Sequence, residues 1–323
     1  MDVLSDVLTT VHLQSAIHLC PELSAPWGIS VHAQTDRAVF YFLSRGSGYL
    51  ESDAIHSPVP LAGGDLVMLP HGDAHKLRDR LESLVVPLDN VMEGACRNGP
   101  APTAQHGGGG EKSSVVAGYF IFQDRAANHL LSTLPSLIYI PSEEGCTVPW
   151  LDATLRFLAS ESNSKVPGAE IVLNRLTDVL FIQIVRTHIA RYEKLGKDCQ
   201  EKAGVLRALI DPNMGRALEA IHEHPEHPWT VGELASRAGM SRTSFAVRFS
   251  SMVGIGPLYY VRKWRMLKAA DLLRSKKASV DDVAGTLGYE SGAAFRKAFQ
   301  REMGVPPALY RKRLSTFAES QVV

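Results

Sequence analysis

The stretch SVDDVAGTLGYESGAAFRKAFQREMGVPPALYRKR, residues 279–313, decides how this chain is read. An earlier stretch, TVGELASRAGMSRTSFAVRFSSMVGIGPLYYVRKWRM at residues 230–266, carries the same pattern. Ala284, Gly288, Ser291, Phe295, Phe299, Gly304, Pro307 and Tyr310 answer in order to Ala235, Gly239, Ser241, Phe245, Phe249, Gly254, Pro257 and Tyr260. The offset is 49 residues for the first two pairs and 50 for the rest, so one residue has been added in the second turn, where Gly-Tyr-Glu-Ser replaces Gly-Met-Ser.

In each copy the pattern predicts a short helix ending at a glycine, then a second helix capped at its start by a serine hydroxyl, Ser241 or Ser291. Phenylalanines four apart share one helical face and point into a core, which fixes the face left free. In the first copy that face holds Arg242, Thr243, Ala246 and Val247; in the second, Gly292, Ala293, Arg296 and Lys297. Two helix-turn-helix units in tandem read as a device for double-stranded DNA. Arg and Lys can donate to guanine O6 and N7 in the major groove, while Ala, Val and the Thr methyl can touch the thymine methyl. The second helix carries the stronger polar readout. Arg248, between the core and free faces, is assigned to a phosphate. Pro257 starts a connecting helix, with Val261, Trp264, Leu267 and Leu272 apolar and Arg262, Lys263, Arg265 and Lys268 forming a phosphate-facing side.

Charge agrees with this reading once it is divided along the chain. The formal net charge is zero, but residues 1–210 hold 17 basic against 23 acidic residues and residues 211–323 hold 17 against 11. Within residues 229–313 the count is 16 to 6, a surplus suited to neutralising phosphates. The 45% apolar and 21% charged composition is that of an ordinary globular protein and excludes disordered and collagen-like classes. No apolar run approaches the length of a membrane span and no basic residue precedes Arg37, which points to the cytoplasm. Cys20, Cys96, Cys146 and Cys199 form no C-x-x-C pair, against a zinc ribbon or a disulfide scaffold.

The first half reads as strands from about residue 28 to 125, with runs at 38–43, 48–52, 65–69 and 115–122 fitting a small antiparallel barrel. Residues 100–112, with Gly107 to Gly110, read as a mobile loop. From Trp150 the period becomes helical: Leu151, Leu155 and Leu158 share a face, and a helix from Ala169 to about Tyr192 places Leu176, Val179, Leu180 and Ile184 together. That second stripe suits packing on the barrel or dimerisation. The expected organisation is an α+β multidomain chain: a barrel domain over 1–148, helical connector 149–204, and an all-α DNA-binding domain over 211–313 with its two motifs at about 231–252 and 280–302.

The two quoted segments resemble the AraC/XylS family of bacterial transcription regulators. The second is especially similar, through its Gly-Tyr-x-Ser turn, Phe-x-x-x-Phe helix and Gly-x-x-Pro exit. Gly64-Asp-Leu-Val-Met-Leu-Pro70-His-Gly72-Asp-Ala-His75 resembles the second cupin motif, and the family commonly carries a cupin-like sensor at this place. The resemblance implies a transcription regulator that is no enzyme, uses no cofactor, and binds promoter DNA and a small-molecule effector, with a homodimer and RNA polymerase as further partners. Metal-dependent cupins add an earlier His-x-His and a carboxylate to this histidine. No His-x-His precedes His75, so no metal is expected and His75 is the single candidate ligand with a motif behind it. A barrel mouth with aromatic and imidazole groups suits a small organic effector, the candidates being Trp27, His32, Phe40, Phe42, Tyr49 and His75. The rival readings are a metal-dependent cupin enzyme with an auxiliary DNA-binding tail, and an architectural DNA binder whose barrel only oligomerises.

Overall fold

The alternating aliphatic and aromatic runs of the first half become the strands of two sheets. The computed structural model describes residues 2–10, 13–95, 102–122, 129–142, 149–161, 166–195, 204–274 and 278–319. They fall into two compact units, one of Leu13–Gln123 with Pro135–Cys199, the other of Met1–His12, Asp124–Leu134 and Gln200–Val323.

The first unit is the barrel. Its strands are β1 (Leu13–Leu19), β2 (Glu22–Ser24), β3 (Gly28–Val31), β4 (Arg37–Arg45), β5 (Ser47–Ser52), β6 (Val59–Ala62), β7 (Leu66–Leu69), β8 (His75–Arg78), β9 (Val86–Pro87), β10 (Gln105–Gly107), β11 (Lys112–Phe122) and β12 (Ile138–Ile140). One sheet runs β10-β2-β11-β4-β7-β12, with β1 also on β11; the other runs β6-β5-β8-β3-β9. Most pairs are antiparallel; β10 on β2 and β9 on β3 are parallel. Side chains alternate along β4 as a strand requires. Val39, Tyr41 and Leu43 join Leu19, Ile29, Val31, Leu50 and Leu77 in the core between the sheets.

Phe40 faces the other way. Its ring stacks on Phe120 at 5.0 Å, and Phe120 and Phe122 each lie 5.2 Å from Phe181. Phe181 belongs to the long helix Ala169–Leu195, which follows the helix Pro149–Glu161. Leu173, Leu180, Phe181 and Ile184 are buried while Val179 is exposed, so the apolar stripe is turned from the one expected. The helices assigned to a connector are part of the barrel unit, because the aromatic face of β4 and β11 needs a cover.

Residues 102–112, expected as a mobile loop, are tied down. β10 pairs with β2, Gly108 N donates to the carbonyl of Ser24 at 2.9 Å, and Gly110 N to that of Ala25 at 2.8 Å. A Cβ on Gly107 would stand 1.9 Å from the Ser24 oxygen; the glycines permit close approach here rather than freedom.

The second unit is helical: α1 (Val3–Thr10), α2 (His129–Ser132), α3 (Val205–Ile210), α4 (Pro212–Glu223), α5 (Val231–Arg237), α6 (Arg242–Val253), α7 (Pro257–Arg274), α8 (Val280–Thr286), α9 (Gly292–Met303) and α10 (Pro307–Glu319). α1 was expected within the barrel domain; it packs here on α4 and α7, burying Val3 and Val7. No helix among the described residues is long and apolar enough to cross a membrane.

Candidate nucleic-acid interface

Each repeat builds the same scaffold from the same chemistry. Thr230 and Glu233 close a capping box at the start of α5, and Ser279 with Asp282 closes one at α8. Both boxes are legible as S/T-x-x-D/E ahead of an apolar run, a signal beyond the serine caps. After the turns at Gly239 and Gly288, Ser241 Oγ accepts from Ser244 N at 3.3 Å and Ser291 Oγ from Ala294 N at 3.2 Å. α6 and α9 both end on a left-handed glycine, Gly254 and Gly304. Phe245, Phe249, Phe295 and Phe299 are fully buried. Phe249 meets Tyr260 edge-on at 5.8 Å, as Phe299 meets Tyr310 at 5.5 Å.

With that face spent on the core, the opposite face of each helix is open. Arg242, Thr243, Val247 and Arg248 are exposed and Ala246 is half-buried; Ala293, Arg296 and Lys297 are exposed and Gly292 is half-buried. Arg248 is paired with Asp211, whose other oxygen accepts from Asn213 N and Met214 N at 3.0 Å as the N-cap of α4. Arg296 donates to Asp281 Oδ1 at 2.9 Å.

The basic stripe expected on the connecting helix α7 is mostly engaged within the unit. Arg262 is paired with the buried Glu302 at 3.0 Å. Arg265 donates to three carbonyls, Pro225 at 2.5 Å, Glu226 at 3.1 Å and His227 at 2.8 Å, and burial lowers its pKa. Lys268 reaches Asp6 at 2.5 Å. Lys263, over the Tyr259 ring at 5.6 Å, is the stripe residue whose charge meets no carboxylate or carbonyl among the described residues. A helical wheel shows which face is basic; it does not show that a loop's carbonyls and an N-terminal helix lie against that face.

The Asp6 contact has no local sequence signature. His222 Nδ1 lies 3.0 Å from Asp6 Oδ2 and Nε2 2.9 Å from the Tyr260 hydroxyl, with Trp264 stacked on the imidazole at 3.9 Å. A carboxylate can only accept, so Nδ1 carries the proton and Tyr260 donates to Nε2. Burial lowers the His222 pKa, against the pull of Asp6. For Asp6, burial pushes upward, but the bonds from His222 and Lys268 prevail and hold the carboxyl below its usual range.

In the barrel, a cavity of about 40 Å³ is lined by aliphatic side chains including Leu23, Ile29, Val39 and Leu77, with Gln34, Arg37, Tyr41 and Tyr119 among its lining residues that carry polar groups. Of the effector candidates, Trp27 is buried in the core between the sheets. Phe40 lies on the opposite face of its strand from Val39 and Tyr41, and Phe42, two residues on, shares that face. His32 and His75 line a separate cleft of about 410 Å³ beside β5 and β8, and half-buried Tyr49 lies in β5. The strand alternation was legible; which of the two faces becomes the interior is decided by the distant Phe181.

His75 is a poor metal ligand here. Its Nδ1 lies 2.7 Å from the Asp73 carbonyl, which can only accept, so Nε2 is the acceptor for the Tyr41 hydroxyl at 2.6 Å. Burial favours its neutral form. Both ring nitrogens are engaged, and among the described residues no group of three or more His, Cys, Asp or Glu side chains is placed to hold a metal ion. The described residues do not fit a resident metal. His12, Cys96, Cys146 and Cys199 lie outside the described residues.

A cupin family model matches residues 2–190 and a helix-turn-helix domain model matches residues 234–313. An AraC-like transcription regulator of Streptomyces lividans is 33% identical, covering 97% of this chain and 98% of its own length. The transcriptional regulator AlkR of Acinetobacter baylyi is 31% identical over 97% of this chain and all of its own. A crystal structure of the DNA-binding domain of AdpA in complex with a target DNA is 41% identical over 32% of this chain and 92% of that one, with a TM-score of 0.30.

Proposed function

Since this chain belongs to the AraC-like transcription regulators, with an N-terminal cupin domain and a C-terminal helix-turn-helix domain, we propose that one monomer reads two DNA segments through α6 and α9 while the barrel takes a small-molecule effector. The observation that carries the first half is the repeated scaffold: equivalent serines, phenylalanines and glycines leave equivalent faces free. Arg242, Thr243, Ala246 and Val247 read one segment; Gly292, Ala293, Arg296 and Lys297 read the other, and Arg248 contacts a phosphate beside Asp211. The segments lie about one helical turn, ~10 base pairs, apart.

The effector is assigned to the cavity between the sheets, with an apolar body against Leu23, Val39 and Leu77 and a polar end toward Gln34 and Arg37. At about 40 Å³ the space holds little more than a few waters. An organic effector therefore enters by displacing lining side chains, so binding and a change of barrel shape are one event that shifts the population competent for DNA. A homodimer, held through the exposed Val172 and Val179 of the long helix, and contact with RNA polymerase complete the reading.

We read the chain as a cytoplasmic regulator rather than an enzyme. Relatives matched along nearly its whole length are named regulators, and His75 has no nitrogen to spare for a metal. The test is footprinting of full-length protein on the DNA upstream of its own gene, over a salt series and with excess random competitor. Two or more competitor-resistant segments support the reading; one short patch, or binding lost to competitor, overturns it.

A further inference from the structure

Asp281 stands in the first turn of α8, outside either reading helix, yet its carboxylate lies against the start of α9. Oδ1 accepts from Arg296 Nη2 at 2.9 Å. Room for it exists because residue 292 is glycine. A Cβ there would stand 1.8 Å from that oxygen, and 3.2 Å from the other terminal nitrogen of Arg296. Gly292 and Arg296 are one turn apart, hence on one face, and the first turn of a helix favours a negative charge beside it.

Both partners are largely exposed, with half or more of each side chain in solvent, so the pair adds little to stability. On DNA the carboxylate would also oppose binding by repelling phosphates, whatever their sequence. What the pair does supply is direction. One terminal nitrogen of the guanidinium is held against the start of α9.

We propose that Asp281 is a positioning residue for base reading, fixing the Arg296 fork so that it addresses one base pair instead of ranging over neighbouring bases and phosphates. The inference rests on the assignment of Arg296 to reading. Such a device trades affinity on all DNA for discrimination between sites.

The experiment uses full-length protein, a duplex selected by it from a randomised library, and single-base variants of that duplex. Asp281→Asn is expected to bind unselected duplex more tightly than wild type and to lose about tenfold discrimination at one base pair, the scale of one bidentate contact. Gly292→Ala retains both charges but displaces the carboxylate, and is expected to lose discrimination at the same base pair; because Gly292 also lies on the reading face, the loss counts for the carboxylate only if it disappears in an Arg296→Ala background. That variant carries the test if Asp281→Asn proves unstable. In an Arg296→Ala background, Asp281→Asn should change discrimination no further. If Arg296→Ala abolishes discrimination while Asp281→Asn and Gly292→Ala preserve it, the positioning role fails and the reading assignment stands. If Arg296→Ala itself leaves discrimination intact, the reading assignment fails and this inference with it.

Discussion

The carboxylate of Asp6 lies 3.0 Å from Nδ1 of His222, although 216 residues separate them in the chain. It also receives Lys268 from a second helix, so one acidic residue of α1 joins α4 to α7. Asp6→Ala would leave a buried imidazole N–H without its acceptor and a lysine without its counter-charge. Removing one partner of a largely buried charged network costs about 2–4 kcal/mol. Thermal unfolding of the full-length protein should show that loss in the transition of the helical unit. An unchanged transition would mean that α1 does not hold its place there in solution.

His222 makes that loss depend on pH. Its folded-state pKa lies below the ordinary value because the ring is buried among Asp6, Tyr260, Trp264 and Lys268, with Lys268 a like charge to the protonated form. Between the unfolded value of about 6.5 and the lower folded one, the unfolded chain takes up a proton that the folded chain refuses. The stability contributed by neutral His222 is therefore complete above about pH 6.5 and declines as pH falls. Asp6, also depressed, acts in the same direction at lower pH. Unfolding measured from pH 7.5 to 5 should show a shallower acid decline in His222→Gln than in wild type. Parallel curves would exclude His222 as the titrating group.

Adjacent residues on α9 should separate stability from recognition. Phe295 is fully buried, and Phe295→Ala should cost about 3–5 kcal/mol of folding stability. Arg296→Ala, one residue on, should leave the melting temperature almost unmoved. It should weaken binding to the preferred site by about 1–3 kcal/mol and relax base choice there. Equal losses on every duplex would reassign Arg296 to a phosphate, and an undisturbed melt for Phe295→Ala would remove it from the core.

These contrasts show where the sequence was sufficient. The repeat placed Ser241, Ser291, the four phenylalanines and the terminal glycines correctly because helix caps and i,i+4 faces are decided by neighbours within a turn or two. β4, β5, β7 and β11 were legible for the same reason, strand alternation being local. The errors are all non-local. Phe40 and Phe42 left the cavity because Phe181, some 140 residues away, covers their face. Gly107 became the end of a paired strand because β2 runs beside it, and α1 joined the helical unit through Val3, Val7 and an aspartate that no short motif announces.

The charges of α7 offer the sharpest check on that distinction, since sequence alone treated four basic residues as equivalent. Arg265 donates to the carbonyls of Pro225, Glu226 and His227 and thereby holds the segment that leads into α5. Arg265→Ala should cost about 2–3 kcal/mol of stability through the acceptors it leaves unpaired. Its effect on the salt dependence of DNA binding should be small. Lys263→Ala should do the reverse, leaving the melt intact and lowering the slope of log affinity against log salt by about one, the change for a lost phosphate contact. Salt titrations and melts of the two variants decide between them. If Arg265→Ala lowers the slope and spares the melt, its carbonyl contacts do not hold that segment in solution and the basic face of α7 lies on the phosphates after all.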